Sequence, residues 1–312
     1  MYRIGIDLGG TNIAAGVVDE GQHIVAEVSL PTGAERPAEA VVADICRAAE
    51  KAMEKAGITA AHCASVGIGS PGTCDSANGV VVRAYNLGWF NVPVCSMVTA
   101  RLGLPCRLSN DANCAALAET VAGGAVGCRN MILITLGTGV GGGVIVNGKV
   151  IDGSHGAGGE IGHITVNRHE TATCGCGKHG CLEQYSSATG VVRCMKKLLD
   201  ENPDTPCTLR GTDFEAKDVF DAARSGDALA AREVDEMTDT LGMALANVAN
   251  TVDPEMFMVG GGVSRAGDVL FTPLREHFKT YAFKSCRETP IVAATLGNDA
   301  GIYGSVRLIV GE

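Results

Sequence analysis

The sequence predicts an α/β protein in two lobes. Three observations carry this: a glycine-turned hairpin near the N-terminus is echoed at mid-chain, strands alternate with helices around both, and 312 residues exceed the usual size of one core. Apolar residues make up 46% and charged residues 19%, the balance of a globular protein, which excludes disorder and fibrous repeats.

The elements follow in order. Residues 3–8 form an apolar strand, the polar loop Gly9-Gly10-Thr11-Asn12 turns it, Ile13 to Val18 returns, and Asp19-Glu20-Gly21 ends the pair. From Pro37 to Ala56, Val41, Ile45, Ala48, Ala49 and Ala52 recur at helical spacing before the stop at Gly57. A strand follows over Ser65 to Gly69. The apolar run Leu104 to Leu108 leads into Asn110-Asp111 and a helix predicted over 112–122. Ile132 to Leu136 then repeats the opening: strand, glycine loop Gly137 to Gly143, returning strand Val144 to Val146, and the hairpin dipeptide Asn147-Gly148. Aligning Ile4 with Ile132 also brings Ile6 onto Ile134, Leu8 onto Leu136, Gly9 onto Gly137 and Val18 onto Val146. This is a weak internal duplication, against which stands the general likeness of any two glycine hairpins. Asp227 is placed to cap a long helix that stops before Asp253-Pro254, Met256 to Val259 is a strand entering Gly260-Gly261-Gly262, and 298–309 closes the chain as a helix.

Charge and cysteines narrow the function. Lys plus Arg is 25 against Asp plus Glu 35, a formal net charge of −10, which disfavours nucleic acid and anionic membrane surfaces as partners. The longest apolar runs are all broken well short of a membrane span. Thirteen cysteines, an odd number, and a start without a basic, apolar leader predict a cytoplasmic protein with reduced thiols. Glycine, at 42 residues, is close to twice its usual share of about 7%.

Gly137-Thr138-Gly139-Val140-Gly141-Gly142 formally matches the dinucleotide fingerprint, but that motif opens a helix and here a strand and hairpin follow, so an NAD site is excluded. Glycines in a hairpin still let backbone N–H groups close on phosphate oxygens, and Mg²⁺ offsets their charge. Three such loops, at Gly9, Gly137 and Gly260, outweigh the alternative of ligand-free tight turns. No Walker lysine accompanies them.

On the acceptor side, Asp111 follows a strand end and precedes a helix. It reads either as the helix cap or as the carboxylate that orients a hydroxyl and accepts its proton. Cys174-x-Cys176-x4-Cys181 with a nearby histidine makes a Cys3His set suited to tetrahedral Zn²⁺, and His155, His163, His169 and His179 compete for the fourth place. The remaining cysteines read as small core residues. Glu160 and Glu183 bracket this module, either as surface charge or as hydrogen-bond acceptors for the hydroxyls of a ligand. Trp89, the single tryptophan, reads as a core anchor.

Asp7-Leu8-Gly9-Gly10-Thr11, Leu136-Gly137-Thr138-Gly139 and Val259-Gly260-Gly261-Gly262 resemble the two phosphate motifs and the adenosine motif of the actin and hexokinase superfamily. End to end, the chain resembles the ROK family of bacterial sugar kinases and repressors, and within it the branch that phosphorylates glucose with ATP. The resemblance implies a two-lobed actin/hexokinase-like (ribonuclease H-like) fold, with a structural zinc module and a cleft that closes over the sugar. Residues 1–110 with 298–312 would form the smaller lobe and 111–297 the larger. Gly9, Gly10, Thr11 and Asn12 would cradle the outer phosphates and Asp7 would hold Mg²⁺ through water. Thr138 and Gly139 would contact the transferred or neighbouring phosphate, and Gly261 and Gly262 the adenosine. Asp111 matches the catalytic aspartate of the family and would be the general base, with Asn110 positioning a hydroxyl. Gly72, in Ser70-Pro71-Gly72, and Asn86, in Asn86-Leu87-Gly88-Trp89, would rim the sugar with Glu160, His163 and Glu183. The family pattern selects His163, Cys174, Cys176 and Cys181 as zinc ligands. A homodimer taking D-glucose and ATP is the implied form; other hexoses, N-acetylhexosamines or a polyphosphate donor are the alternatives. A sugar-sensing repressor would need an added DNA-binding domain before the first phosphate strand, for which a strand starting at residue 3 leaves no room.

Overall fold

A computed structural model describes residues 1–310. Strands β1 (Tyr2–Leu8), β2 (Asn12–Val18) and β3 (Ile24–Pro31) form an antiparallel meander. Helix α1 (Ala38–Lys55) covers it with Val41, Ile45, Ala48, Ala49 and Ala52, all fully buried. Strand β4 (Cys63–Ser70) pairs parallel with β1. A separate three-stranded sheet, β5 (Thr73–Asp75), β6 (Val80–Ala84) and β7 (Trp89–Val92), comes next and was not foreseen. Its strands are three to five residues long, too short for their alternation to stand out. Trp89 is 4% exposed, the core anchor expected. After α2 (Val94–Leu102), β8 (Cys106–Asn110) pairs parallel with β4 and runs directly into α3 (Asp111–Val121).

The second series is β9 (Met131–Leu136), β10 (Val140–Val146) and β11 (Lys149–Val150), with Asn147 and Gly148 at φ +53° and +77° making the predicted hairpin turn. Then come α4 (Glu183–Ser186), α5 (Ala188–Glu201), α6 (Ala216–Arg224) and α7 (Ala228–Val252), the last capped by Asp227, whose carboxylate accepts from Leu229 N and Ala230 N. Strand β12 (Met256–Gly260), α8 (Asp268–Tyr281), β13 (Ile291–Ala293) and α9 (Ala300–Val310) complete the chain. The two large sheets run β3-β2-β1-β4-β8 and β11-β10-β9-β12-β13. They share one strand order, the topological counterpart of the weak duplication. Their central strands are near-continuous apolar runs, as burial on both faces requires: Ile4, Ile6 and Leu8 in β1 and Met131 to Ile134 in β9 are at most 1% exposed. The α/β class expected from the sequence is the class observed.

Two compact units divide the described chain. One holds 1–129, 143–159 and the segment from Thr295 on; the other holds 130–142 and 160–294. This differs from the expected division at residue 110, and the end of the segment 298–312 lies outside the described residues. The reason is α3. It continues β8 without a linker, packs against α9, and lies so close to Gly143 that a Cβ there would stand 2.6 Å from the Ala112 carbonyl oxygen.

Candidate active site

In the first unit, parallel register brings the strand ends together. Asp7 of β1 lies opposite Gly69 of β4, and Gly69 lies opposite Ser109 of β8, so Asp7, Ser70 and Asn110-Asp111 share the carboxyl edge of one sheet, where α/β folds hold ligands. The loop Gly9 to Asn12 is closed by Gly9 N donating to Asn12 O at 2.8 Å. It is pinned by buried Thr32, whose hydroxyl donates to Gly9 O (2.7 Å) and whose amide donates to Thr11 O (2.8 Å). A Cβ on Gly10 would stand 3.3 Å from Asn86 Nδ2, so the expected phosphate loop and the expected sugar rim adjoin. Burial pushes the Asp7 carboxyl above its usual range, an environment that favours a neighbouring cation.

Asn110 turns out to be the helix cap. Its Oδ1 accepts from Ala112 N (2.8 Å) and Asn113 N (3.4 Å), while Nδ2 donates to Gly72 O at 2.9 Å. The capping role weighed for Asp111 therefore belongs to its neighbour; Asp111 sits in the first helical turn with Oδ1 accepting from Ala112 N at 2.8 Å. Asn110 keeps one amide hydrogen for a ligand and otherwise tethers the loop of Gly72. Gly72 has φ +87°, and a Cβ there would stand 2.1 Å from Arg83 O, so glycine is required. Asp152 reinforces this edge from the segment after β11, accepting from Asn113 Nδ2 (3.1 Å) and Ser109 Oγ (3.4 Å).

The second unit gathers the other glycine loops. Gly261, at φ +82°, rests on β9, where a Cβ would stand 2.4 Å from Leu136 O. Thr138 and Gly262 both line a cavity of about 670 Å³ whose walls include Thr189, Phe214, Lys217, Phe220, Arg224 and Arg265. Thr189 Oγ1 donates to Thr138 O at 2.7 Å, fixing the loop to α5.

The metal cluster also forms here. One donor atom from each of His163, Cys174, Cys176 and Cys181 lies within 4.8 Å of the others. Cys174 Sγ is 3.8 Å from His163 Nδ1, and the Cys176 and Cys181 sulfurs are 3.6 Å apart. Tetrahedral bonds of about 2.3 Å place sulfurs roughly 3.7 Å apart, so the four fit Zn²⁺. Burial and the adjoining Cys176 and Cys174 thiols push Cys181 up to about 12, a cost that a bound cation removes. Of the rival histidines in this unit, His179 is bonded through Nδ1 to Ala172 O at 3.1 Å. His163 turns its other nitrogen, Nε2, toward Glu160 Oε2 at 3.8 Å. Glu183, expected at the sugar, accepts from Val140 N at 3.1 Å through Oε2, and its Oε1 lies 3.6 Å from Cys174 Sγ. It joins the Cys/His cluster to the loop of Gly137 to Gly139, where a Cβ on Gly139 would stand 2.1 Å from that carboxylate.

The model of the ROK family matches residues 3–312. The chain belongs to the ROK family. Within the ROK family, it is 39% identical to the glucokinase of Halalkalibacterium halodurans over 99% of this chain and 94% of that one. A ROK family glucokinase from Streptomyces griseus, solved with glucose and AMPPNP, superposes with a TM-score of 0.80 at 38% identity, covering 99% of both chains. The ROK hexokinase from Thermus thermophilus gives 0.85 at 33% identity, over 99% and 97%. These neighbours agree with the fold class expected. In this ROK chain the residues that the sequence reading missed are mainly cavity walls: Phe214 just before α6, and Lys217 and Phe220 on it. No element is predicted there from the sequence, and what these side chains face depends on packing. Asp152 was missed because a lone carboxylate between glycines carries no pattern.

Proposed function

We propose that the chain is a glucokinase, transferring the terminal phosphoryl group of ATP to the 6-hydroxyl of D-glucose to give glucose 6-phosphate and ADP. The observation that carries the reaction type is the carboxyl edge of the first sheet. There Asp111 stands in the first turn of α3, with Asn110 as its cap, beside Asp7 and the pinned loop Gly9 to Asn12. Asp111 would accept the proton of the attacking hydroxyl, typically worth about 10²–10⁴-fold in rate. The backbone of Gly9, Gly10, Thr11, Asn12, Thr138 and Gly139 would hold the phosphates, and Gly261 and Gly262 would border the adenosine. Asp7 would hold Mg²⁺ through water; the ion supplies charge neutralisation on the phosphates when bound. Gly72, Asn86, Asn110, Glu160, His163 and Glu183 would orient the sugar hydroxyls. Zn²⁺ on His163, Cys174, Cys176 and Cys181 would be structural, since four protein ligands leave it no open position.

Glucose as acceptor rests on likeness to the glucokinases above. The resemblance to a ROK hexokinase favours a broader hexose kinase as the second reading. A coupled assay with glucose, mannose, fructose and N-acetylglucosamine, each with ATP and with polyphosphate, decides. Glucose with ATP should give the highest kcat/KM, and a clear preference for another pair overturns the specificity. We also expect a cytoplasmic homodimer, checked by light scattering in solution. Among the described residues no helix is long and apolar enough to cross a membrane.

A further inference from the structure

A second cavity of the second unit, about 430 Å³, lies against α5, α7 and residues 167–171. Each cation on its wall already has a partner. Arg193 Nη1 stands 3.1 Å from Glu170, Lys197 Nζ 3.8 Å from Glu201, and Arg232 Nε 2.7 Å from Glu236. Asp239 accepts from the Tyr281 hydroxyl at 2.8 Å and lies 3.2 Å from His277 Nδ1. That leaves Glu233. This α7 side chain lines the cavity, is 2% exposed, and makes no hydrogen bond or ion pair among the described residues. Five carboxylates thus face three cations on this wall.

An unpartnered buried carboxyl is costly to ionise. Burial, with Glu236 nearby, holds Glu233 up at about 8 although Arg193 and Arg232 oppose the shift; the other titratable groups facing the same space are Tyr185, His169 and the Cys194 thiol, which burial and Glu233 hold above its usual range. An anion would meet a wall with an excess of carboxylates. A neutral polar ligand would leave that excess uncorrected, and a bare metal ion would find no cluster of three donors on this wall among the described residues, in a space far larger than itself.

We propose that this cavity binds a small aliphatic diamine as its dication, with one ammonium seated on Glu233. The two positive charges match the deficit of the wall, and the methylenes between them suit the stems of Arg193, Lys197 and Leu198. Binding selects the ionised carboxyl, so it releases most of one proton at neutral pH.

Titration calorimetry of the full chain with 1,4-diaminobutane, in two buffers of different ionisation enthalpy, tests this. One saturable site is expected, with affinity rising about tenfold per pH unit from 6 toward 8 and levelling above. Glu233→Gln should weaken binding at least tenfold and abolish proton release, His169→Asn should keep the pH slope, and 1,4-butanediol should not bind. Lack of saturable binding, a flat pH profile, equal binding of the diol, or unchanged affinity in a folded Glu233→Gln protein each overturns the proposal. If that variant does not fold, the wild-type pH profile and the diol comparison decide alone.

Discussion

At Asp111 the local backbone does two jobs in two adjacent residues: Asn110 caps the helix and Asp111 begins it, with its carboxylate oriented by Ala112 N. Because the cap is supplied separately, removing the charge of Asp111 should spare the fold. Asp111→Asn is expected to lower kcat by about 10²–10⁴-fold while the melting temperature stays within a few degrees, checked by the coupled assay and by calorimetry. A variant that stayed folded and kept near-normal phosphorylation would remove Asp111 from the mechanism. Gly72 gives the opposite behaviour. Its φ of +87° and the 2.1 Å approach of a Cβ to Arg83 O mean that Gly72→Ala must move backbone, costing about 2 kcal/mol or more in urea unfolding. Asn110 holds the same loop through Gly72 O, so sugar KM should rise as well.

Among the elements, α9 shows how distant segments complete the first unit. Buried Glu119 on α3 accepts from Gly124 N (2.9 Å), Thr295 N (2.7 Å), Leu296 N (3.0 Å) and the Thr295 hydroxyl (2.8 Å), so it anchors the approach to α9. Further along α9, a Cβ on Gly304 would stand 1.7 Å from Cys114 O, which lets the two helices cross in near contact. Gly304→Ala is therefore expected to destabilise by about 3 kcal/mol, read from urea midpoints. The proposed zinc module is a different kind of element. It has almost no regular structure, and its cross-links would be the metal ligands themselves plus short bonds such as Lys178 Nζ to His163 O at 2.8 Å. Chelation should lower the melting temperature by several degrees. It should also raise the sugar KM, because His163 faces Glu160 and Glu183 accepts from Val140 N, and all three of His163, Glu160 and Glu183 belong to the proposed sugar site. Unchanged sugar affinity in metal-free, folded protein would separate the module from the substrate.

For the molecule as a whole, the acidic balance leaves one buried carboxyl with a consequence for stability. Glu233 titrates near 8 when folded and near 4.5 when exposed. Between these values the folded state keeps a proton that the unfolded chain has lost, so stability falls as pH rises, by up to about 1.4 kcal/mol per unit from this group. Below about 4.5 the effect vanishes, and above 8 it is complete. Urea unfolding at pH 5, 6.5 and 8 should show this decline in the wild type and a flatter profile in Glu233→Gln; equal slopes would mean that other groups govern it.

The elements that carry strong local signals were legible from the chain alone. The glycine loops with their flanking apolar runs, the Asp227 cap, the Asn147-Gly148 turn and the cysteine spacing each depend on neighbours within a few residues, and they fold where the residues predict, except that β10 already begins at Val140, so Gly141 to Gly143 lie in the strand and the second loop is only Gly137 to Gly139. The paired sheets were foreseen through the same short motifs, repeated. What depended on partners far along the chain was not legible. Helix α3 joined the first unit because Ala112 meets Gly143 and Cys114 meets Gly304. Glu183 turned to Val140 N, Asn110 to Gly72 O, and Glu233 to no partner at all among the described residues. A carboxylate or amide reads the same in sequence whether its oxygen meets a helix end, a glycine loop or an empty wall. Only packing fixes which polar group stands opposite, because hydrogen bonds act over about 3 Å while the residues they join here lie tens of positions apart.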